Sequence, residues 1–237
     1  MSTWFEPGMY GTDTGPSSQV IAELIVSMFH PASVVDVGCG PGTLLSYLRS
    51  AGVVDLCGID GPPVSAIFKD DAGEFVAADL TCPLDLSRRF EIATCLEVAE
   101  HLPPTAAETL VETLAGLAPV VVFSAATPGQ GGEGHINEQW PIYWQQIFRR
   151  SGLVCLDVLR GQLASKPEVL SYYRTNTFVY MAESEADRFI GQVSPECLAD
   201  PYVISVTGGV RRDLRSVPWR DLCMALASKL NRRFKRG

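Results

Sequence analysis

Two short stretches of this 237-residue chain place acids and imidazoles close together. The first is Glu97-Val98-Ala99-Glu100-His101-Leu102. The second is Gly134-His135-Ile136-Asn137-Glu138-Gln139-Trp140. Glu97 stands three residues before Glu100 and four before His101, so one helical turn would bring their side chains together. Carboxylate oxygens with one or two imidazoles suit a hard or borderline divalent ion such as Mg²⁺ or Mn²⁺. Without an ion, the same imidazoles can take a proton from a nucleophile as general bases. A structural role is the remaining reading. The third histidine, His30, falls at a helix end and has no catalytic part in any of these readings.

A second constellation lies in Val34-Val35-Asp36-Val37-Gly38-Cys39-Gly40-Pro41-Gly42, where a β-branched run meets a glycine-rich turn. Glycines let the backbone turn tightly and approach a ligand with no Cβ in the way. The spacing is G-x-G-x-G, not the G-x-G-x-x-G of a dinucleotide fold. Two more acids close later apolar runs: Asp60 after Val54–Ile59, and Asp79 in Ala78-Asp79-Leu80. Singly, each aspartate reads as a turn or cap residue. Three acids in register with a glycine turn point to a ligand site.

These residues need a scaffold, and the hydrophobic pattern supplies one. Strand-like runs are predicted at 33–37, 54–59, 74–78, 92–96, 120–124, 154–158 and 176–180. Helices are predicted at 18–29 behind a Ser17/Ser18 cap, and at 42–48, 105–117 and 138–150. Alternation of this kind predicts an α/β fold with a parallel sheet covered by helices. In such sheets ligands sit beyond the carboxyl ends of the strands. Both histidine stretches follow strands, the fourth and the fifth. A glycine-rich loop, 129–134, precedes His135.

The Val34–Gly42 stretch resembles motif I of the class I S-adenosylmethionine (SAM)-dependent methyltransferases, and the resemblance covers roughly residues 20 to 183. It implies a Rossmann-like, seven-stranded, mostly parallel sheet with helices on both faces. It further implies that Asp36, Gly38, Gly40 and Gly42 form the turn against the methionine and ribose of SAM. Asp60 would hold the ribose hydroxyls, which a carboxylate does by accepting two hydrogen bonds side by side. Asp79 would contact the adenine amino group, with Leu80 and Leu96 also beside the cofactor. The E-x-x-E-H…H pattern resembles a metal-dependent subset, the small-RNA 2′-O-methyltransferases, and is similar to the ubiquinone-pathway O-methyltransferases. By that resemblance Glu97, Glu100, His101 and His135 hold Mg²⁺ or Mn²⁺, with Glu97, His101 and His135 at the chemical step. Glu-His-Leu after the fourth strand also occurs in relatives that bind no metal, so a metal-free base stays open.

The His135–Trp144 stretch resembles bacterial saccharide and glycolipid methyltransferases, such as those of methylmannose polysaccharide synthesis. That resemblance implies O-methylation of a sugar hydroxyl, the sugar offering vicinal oxygens to an ion. The alternatives are a phenol, catechol or natural-product methyltransferase with a histidine base, an RNA 3′-end methyltransferase, and a non-catalytic SAM-binding regulator. Tyr143 and Trp144 are candidate substrate residues, although aromatics at this spacing are more often core. Tyr10 is a candidate lid residue.

Composition sets the outer bounds. Hydrophobic residues are 46% and charged residues 19%, a globular composition. No apolar run reaches the roughly 18 residues of a membrane span, and the polar N-terminus does not read as a signal peptide. Seven widely spaced cysteines without a CxxC pair predict reduced thiols and a cytoplasmic protein. The net charge of −8 is uneven: residues 201–237 carry nine Lys/Arg against two Asp. The acidic remainder argues against binding of long nucleic acid. The basic tail predicts contact with a membrane surface or another subunit, and a homodimer is possible. The expected organisation is a lid segment over 1–17, the catalytic domain over 18–184, and an extension over 185–237 ending in a basic amphipathic helix.

Overall fold

The structure, a computed structural model, describes residues 14–190. Seven strands alternate with helices: α1 (Gly15–Phe29), β1 (Ser33–Val37), α2 (Thr43–Ser50), β2 (Asp55–Asp60), β3 (Glu74–Ala77), β4 (Ile92–Leu96), α3 (Ala107–Leu117), β5 (Val120–Ser124), α4 (Pro141–Arg150), β6 (Leu153–Leu156), α5 (Arg160–Leu163), α6 (Ser171–Asn176), β7 (Phe178–Ala182) and α7 (Glu183–Ile190). They form one sheet in the order β3-β2-β1-β4-β5-β7-β6. β1 to β5 pair in parallel, and β7 runs antiparallel between β5 and β6. This is the Rossmann-like architecture of the class I methyltransferases.

The central strands are apolar on both faces because both are covered. Val35, Val37, Ala93, Cys95, Val121 and Phe123 point to one side, where they meet Leu110, Val111 and Leu114 of α3 and Ile147 and Phe148 of α4. Their neighbours Val34, Ile92 and Val122 point to the other, against Ile21 and Ile25 of α1 and Leu45 and Leu48 of α2. The period-2 alternation of strand side chains thus divides the core into two layers.

Several boundaries differ from the sequence expectation. α1 begins at Gly15, with Pro16 in its first turn, where a missing N–H costs nothing. Ser17 does not cap it; its hydroxyl accepts the N–H of Leu170 instead. α4 starts at Pro141, so Glu138 is in the preceding loop. β7 starts at Phe178 because α6 occupies 171–176. Cys39, Cys57, Cys82, Cys95 and Cys155 are free thiols. Burial pushes the Cys57 thiol up to about 11 and that of Cys155 up to about 12. No helix among the described residues is long and apolar enough to cross a membrane. Tyr10, most of the lid segment and the extension beyond 190 lie outside the described residues.

The topology sets up the site. β6 runs with the parallel strands and β7 runs back, so the segment between them leaves and re-enters the sheet at the carboxyl edge. That edge also carries the glycine turn, the Glu97–His101 segment and the loop of His135.

Candidate active site

At the end of β1 the backbone turns through Gly38, Gly40 and Gly42, all at positive φ (+77°, +50° and +77°). Packing explains two of them. A Cβ on Gly38 would stand 2.7 Å from Cγ1 of Val98 and closer still to Cγ2. One on Gly42 would stand 2.5 Å from the Cβ of Ala72. Real side chains would have to move, and the left-handed backbone adds strain. Val98 belongs to the Glu97–His101 segment, so the two motifs pack directly against each other.

The three aspartates have different work. Asp60 is 8% exposed. Its Oδ2 accepts the N–H of Gly40 at 2.8 Å and its Oδ1 the N–H of Gly61 at 2.6 Å, which holds the glycine turn against β2. Asp36 is buried beneath the turn and accepts a hydrogen bond from Thr94 Oγ1 at 2.6 Å. Burial pushes its carboxyl up to about 7 against the pull of Thr94, and the charge of Asp60 adds to the rise. Asp36 therefore supports the turn from below. Asp79 accepts the backbone N–H and hydroxyl of Thr81, which lower its pKa. Leu80 is buried and Leu96 partly buried.

The backbone leaves β4 through Glu97 in a left-handed conformation, φ +55°, and not through the expected helical turn. A single 3₁₀ turn, Ala99–His101, follows. Glu97 N–H donates to Ser124, and Gln130 Nε2 donates to Glu97 Oε2 at 2.8 Å. The amide oxygen of Gln130 in turn accepts Asn176 Nδ2 at 2.8 Å. Burial raises the pKa of Glu97, opposed by its hydrogen bonds. Glu100 is fully buried, and neither carboxyl oxygen has a hydrogen-bond partner of ordinary geometry. Burial, with the charge of Glu97 adding, pushes Glu100 up to about 9, although the nearby N–H groups of Glu100 and Ala126 oppose the rise.

The loop after β5 is stitched to this turn. Ile136 and Asn137 donate their N–H groups to the Glu100 carbonyl, and Asn137 Nδ2 reaches the Ala99 carbonyl. The rings of His101 and His135 stand 4.9 Å apart, edge to face. Burial lowers the pKa of His101, and the neighbouring His135 lowers it further. Ligand atoms of Glu100, His101 and His135 all lie within 4.8 Å of one another. Glu97, the fourth residue of the expected metal set, stands beside Glu100 but outside that group of three.

Trp144 does not line the site. It is 2% exposed and packs on Phe123 in the core, with Tyr143 against its edge and only partly buried. Helical position put it on the inward face, where its ring fills volume. Five residues near the site were not singled out from sequence: Val98, Gln130, Glu138, Tyr172 and Asn176. Tyr172 on α6 is half-buried, and burial together with the charges of Glu97 and Glu100 pushes its hydroxyl up to about 12. Val98 lies inside the Glu97–His101 motif, Gln130 in the glycine-rich loop and Glu138 three residues after His135, whereas Tyr172 and Asn176 stand near no motif.

Residues 17–160 match the family described as Methyltransferase domain. A search of curated proteins finds no match. Among solved structures, the chain is similar to the sugar N-methyltransferase KedS8 from Streptoalloteichus (TM-score 0.57, 16% identity, 73% of this chain and 89% of that one). It is also similar to SAM-bound CalS10, an amino pentose methyltransferase from Micromonospora echinaspora (0.53, 15%, 73% and 93%). A third is a TehB-like SAM-dependent methyltransferase from Corynebacterium glutamicum (0.51, 20%, 74% and 92%). At these identities the likeness is one of fold. The family match covers well over half of the chain, and with the glycine turn and its acids at the carboxyl edge of the sheet it makes the protein a member of the methyltransferase-domain family, a SAM-dependent methyltransferase.

Proposed function

We propose that this enzyme transfers the SAM methyl group to a sugar hydroxyl of a saccharide or glycan precursor, assisted by a divalent ion, Mg²⁺ or Mn²⁺. One observation carries the metal: a buried carboxyl with neither oxygen in a hydrogen bond of ordinary geometry, beside two imidazoles. Buried polar atoms of this kind are costly unless something satisfies them. The donor set, oxygen with two imidazole nitrogens, fits an ion of this class. Glu100, His101 and His135 would hold it. Such an ion would supply Lewis acidity, lowering the pKa of the acceptor hydroxyl.

The remaining work belongs to the chain. Methyl transfer is a direct displacement, so nucleophile, methyl and sulfur must lie in line. The glycine turn, held by Asp60, places the cofactor at the carboxyl end of β1. His101 stays neutral at neutral pH because burial lowers its pKa, as a ligand or a base must. Glu97 is fixed by Gln130 through one oxygen, and its raised pKa suits it to accept the hydroxyl proton. The names of two structural neighbours, which concern sugar and amino pentose acceptors, support a saccharide substrate. In the same reading the protein works in the cytoplasm, and the basic tail meets a membrane surface or a second subunit.

A second reading has His135 as a metal-free general base acting on a phenol or similar hydroxyl. It is favoured by the position of His135 on the same edge as the glycine turn and by its hydrogen bond to Glu138. The test is SAM turnover against a panel of saccharides and phenols, with Mg²⁺ and with EDTA. Saccharide turnover lost in EDTA and restored by Mg²⁺ or Mn²⁺ supports the proposal. Full turnover by enzyme verified metal-free by elemental analysis removes the metal. Turnover of phenols alone removes the sugar.

A further inference from the structure

Glu138 sits in a loop with no regular structure, yet its carboxylate is fully engaged. Oε2 accepts the N–H of Gly129 at 2.8 Å. Oε1 accepts the N–H of Gly131 at 2.8 Å and stands 3.0 Å from Nδ1 of His135. One side chain therefore closes the glycine-rich loop on itself and grips the imidazole. The loop is also shaped around that ring: a Cβ on Gly132 would overlap the ring atoms Nε2, Cε1 and Cδ2. From the other side, the Ile136 and Asn137 N–H groups on the Glu100 carbonyl fix where the loop meets the turn of Glu100.

An ionised carboxylate can only accept hydrogen bonds. The proton of a neutral His135 must then sit on Nδ1, which leaves the Nε2 lone pair as the one available for chemistry. Free imidazoles favour the other tautomer, with the proton on Nε2, and in that form Nε2 could neither ligate an ion nor accept a proton. A partner on the second nitrogen is the usual means of fixing tautomer and ring direction at reacting histidines.

We infer that Glu138 is the positioning residue of the site: it selects the Nδ1–H tautomer of His135 and aims Nε2 at the reacting centre. The inference rests on His135 belonging to that centre, as in both readings above, and holds whether Nε2 is ligand or base.

The test uses the full chain with ¹⁵N-labelled histidine at pH 8. With three histidines in the sequence the spectrum is simple, and His135 is assigned from the signal lost in His135→Asn. The wild type should show His135 protonated on Nδ1, and Glu138→Ala should lose that signature. Mn²⁺ affinity, read by electron paramagnetic resonance, should fall tenfold or more in Glu138→Ala, the usual range for loss of such a partner. SAM affinity by calorimetry should stay within about twofold, which shows the fold intact. A wild-type His135 protonated on Nε2 overturns the inference without any variant, even if Glu138→Ala fails to fold. A Glu138→Ala protein that keeps the Nδ1–H form overturns it as well. If the wild type binds no Mn²⁺ but its tautomer depends on Glu138, the metal reading falls and the positioning role stands.

Discussion

Replacing Glu100 with glutamine should make the metal-free protein more stable while destroying its chemistry. The carboxyl is fully buried, and its pKa is pushed from 4.5 to about 9. Below pH 4.5 it is protonated in both folded and unfolded chains and has no effect on stability. Between 4.5 and about 9 the unfolded chain gives up this proton and the folded chain keeps it. The folded state then binds more protons, so stability falls as pH rises through this window. At 1.36 kcal/mol per pKa unit, the loss at pH 7 is about 3 kcal/mol. Glutamine keeps the shape and does not titrate, so Glu100→Gln should recover that amount. For a chain of this size it corresponds to a melting temperature higher by roughly 6–12 °C. Thermal unfolding in EDTA at pH 5, 7 and 8.5 should show the difference growing with pH. Added Mn²⁺ should stabilise the wild type and leave the variant unmoved. A variant less stable than wild type at pH 7, or a difference flat across this range, would refute the argument that burial sets this carboxyl.

Four further outcomes follow from the geometry. Gly38→Ala drives a Cβ into Val98 on a left-handed backbone, so calorimetry should find SAM binding lost, with partial recovery in the double variant that also carries Val98→Ala. Asp60→Ala strips the acceptor from Gly40 and Gly61 and should weaken SAM binding at least tenfold by calorimetry; unchanged affinity would exclude Asp60 from the cofactor site. Asp157→Ala leaves the Arg160 guanidinium buried over Phe178 without its carboxylate and should cost about 3–5 kcal/mol in urea unfolding. Removing residues from about 205 onward should leave SAM affinity unchanged, because the family match ends at residue 160.

Legibility in the sequence followed burial. β1, β4 and β5 occupy the predicted residues because strands covered on both faces consist of little but apolar, often β-branched side chains. α5 and α6, of four and six residues, are too short for a 3.6-residue period to register. In the site, E-x-x-E-H did bring acid and imidazole together, but through a left-handed Glu97 and a 3₁₀ turn that no spacing rule anticipates. The glycine turn was read as room for a ligand, whereas Gly38 and Gly42 are required by their protein neighbours Val98 and Ala72. Glu138 looked like the first residue of a helix. Its grip on Gly129 and Gly131 depends on a loop shape that sequence periodicity does not encode.

The reversed strand β7 divides the molecule into a part that must stay and a part that can be exchanged. Residues 157–177 begin and finish on one edge of the sheet, and two anchors hold them there: Leu170 N–H on Ser17 and Asn176 on Gln130; Arg160, on Asp157 and the Thr175 carbonyl, ties the segment's two ends to each other. None of the strands that carry the glycine turn or its acids passes through this segment. It is a cassette in a socket: Val158, Leu159, Leu163, Val169 and Tyr173 seat it in the core and must keep their bulk, while the exposed positions 161–162 and 164–168 can be rewritten. The rim of the sheet's carboxyl edge can therefore be reshaped within one contiguous stretch, with the two anchors kept, and the glycine turn and its acids stay untouched.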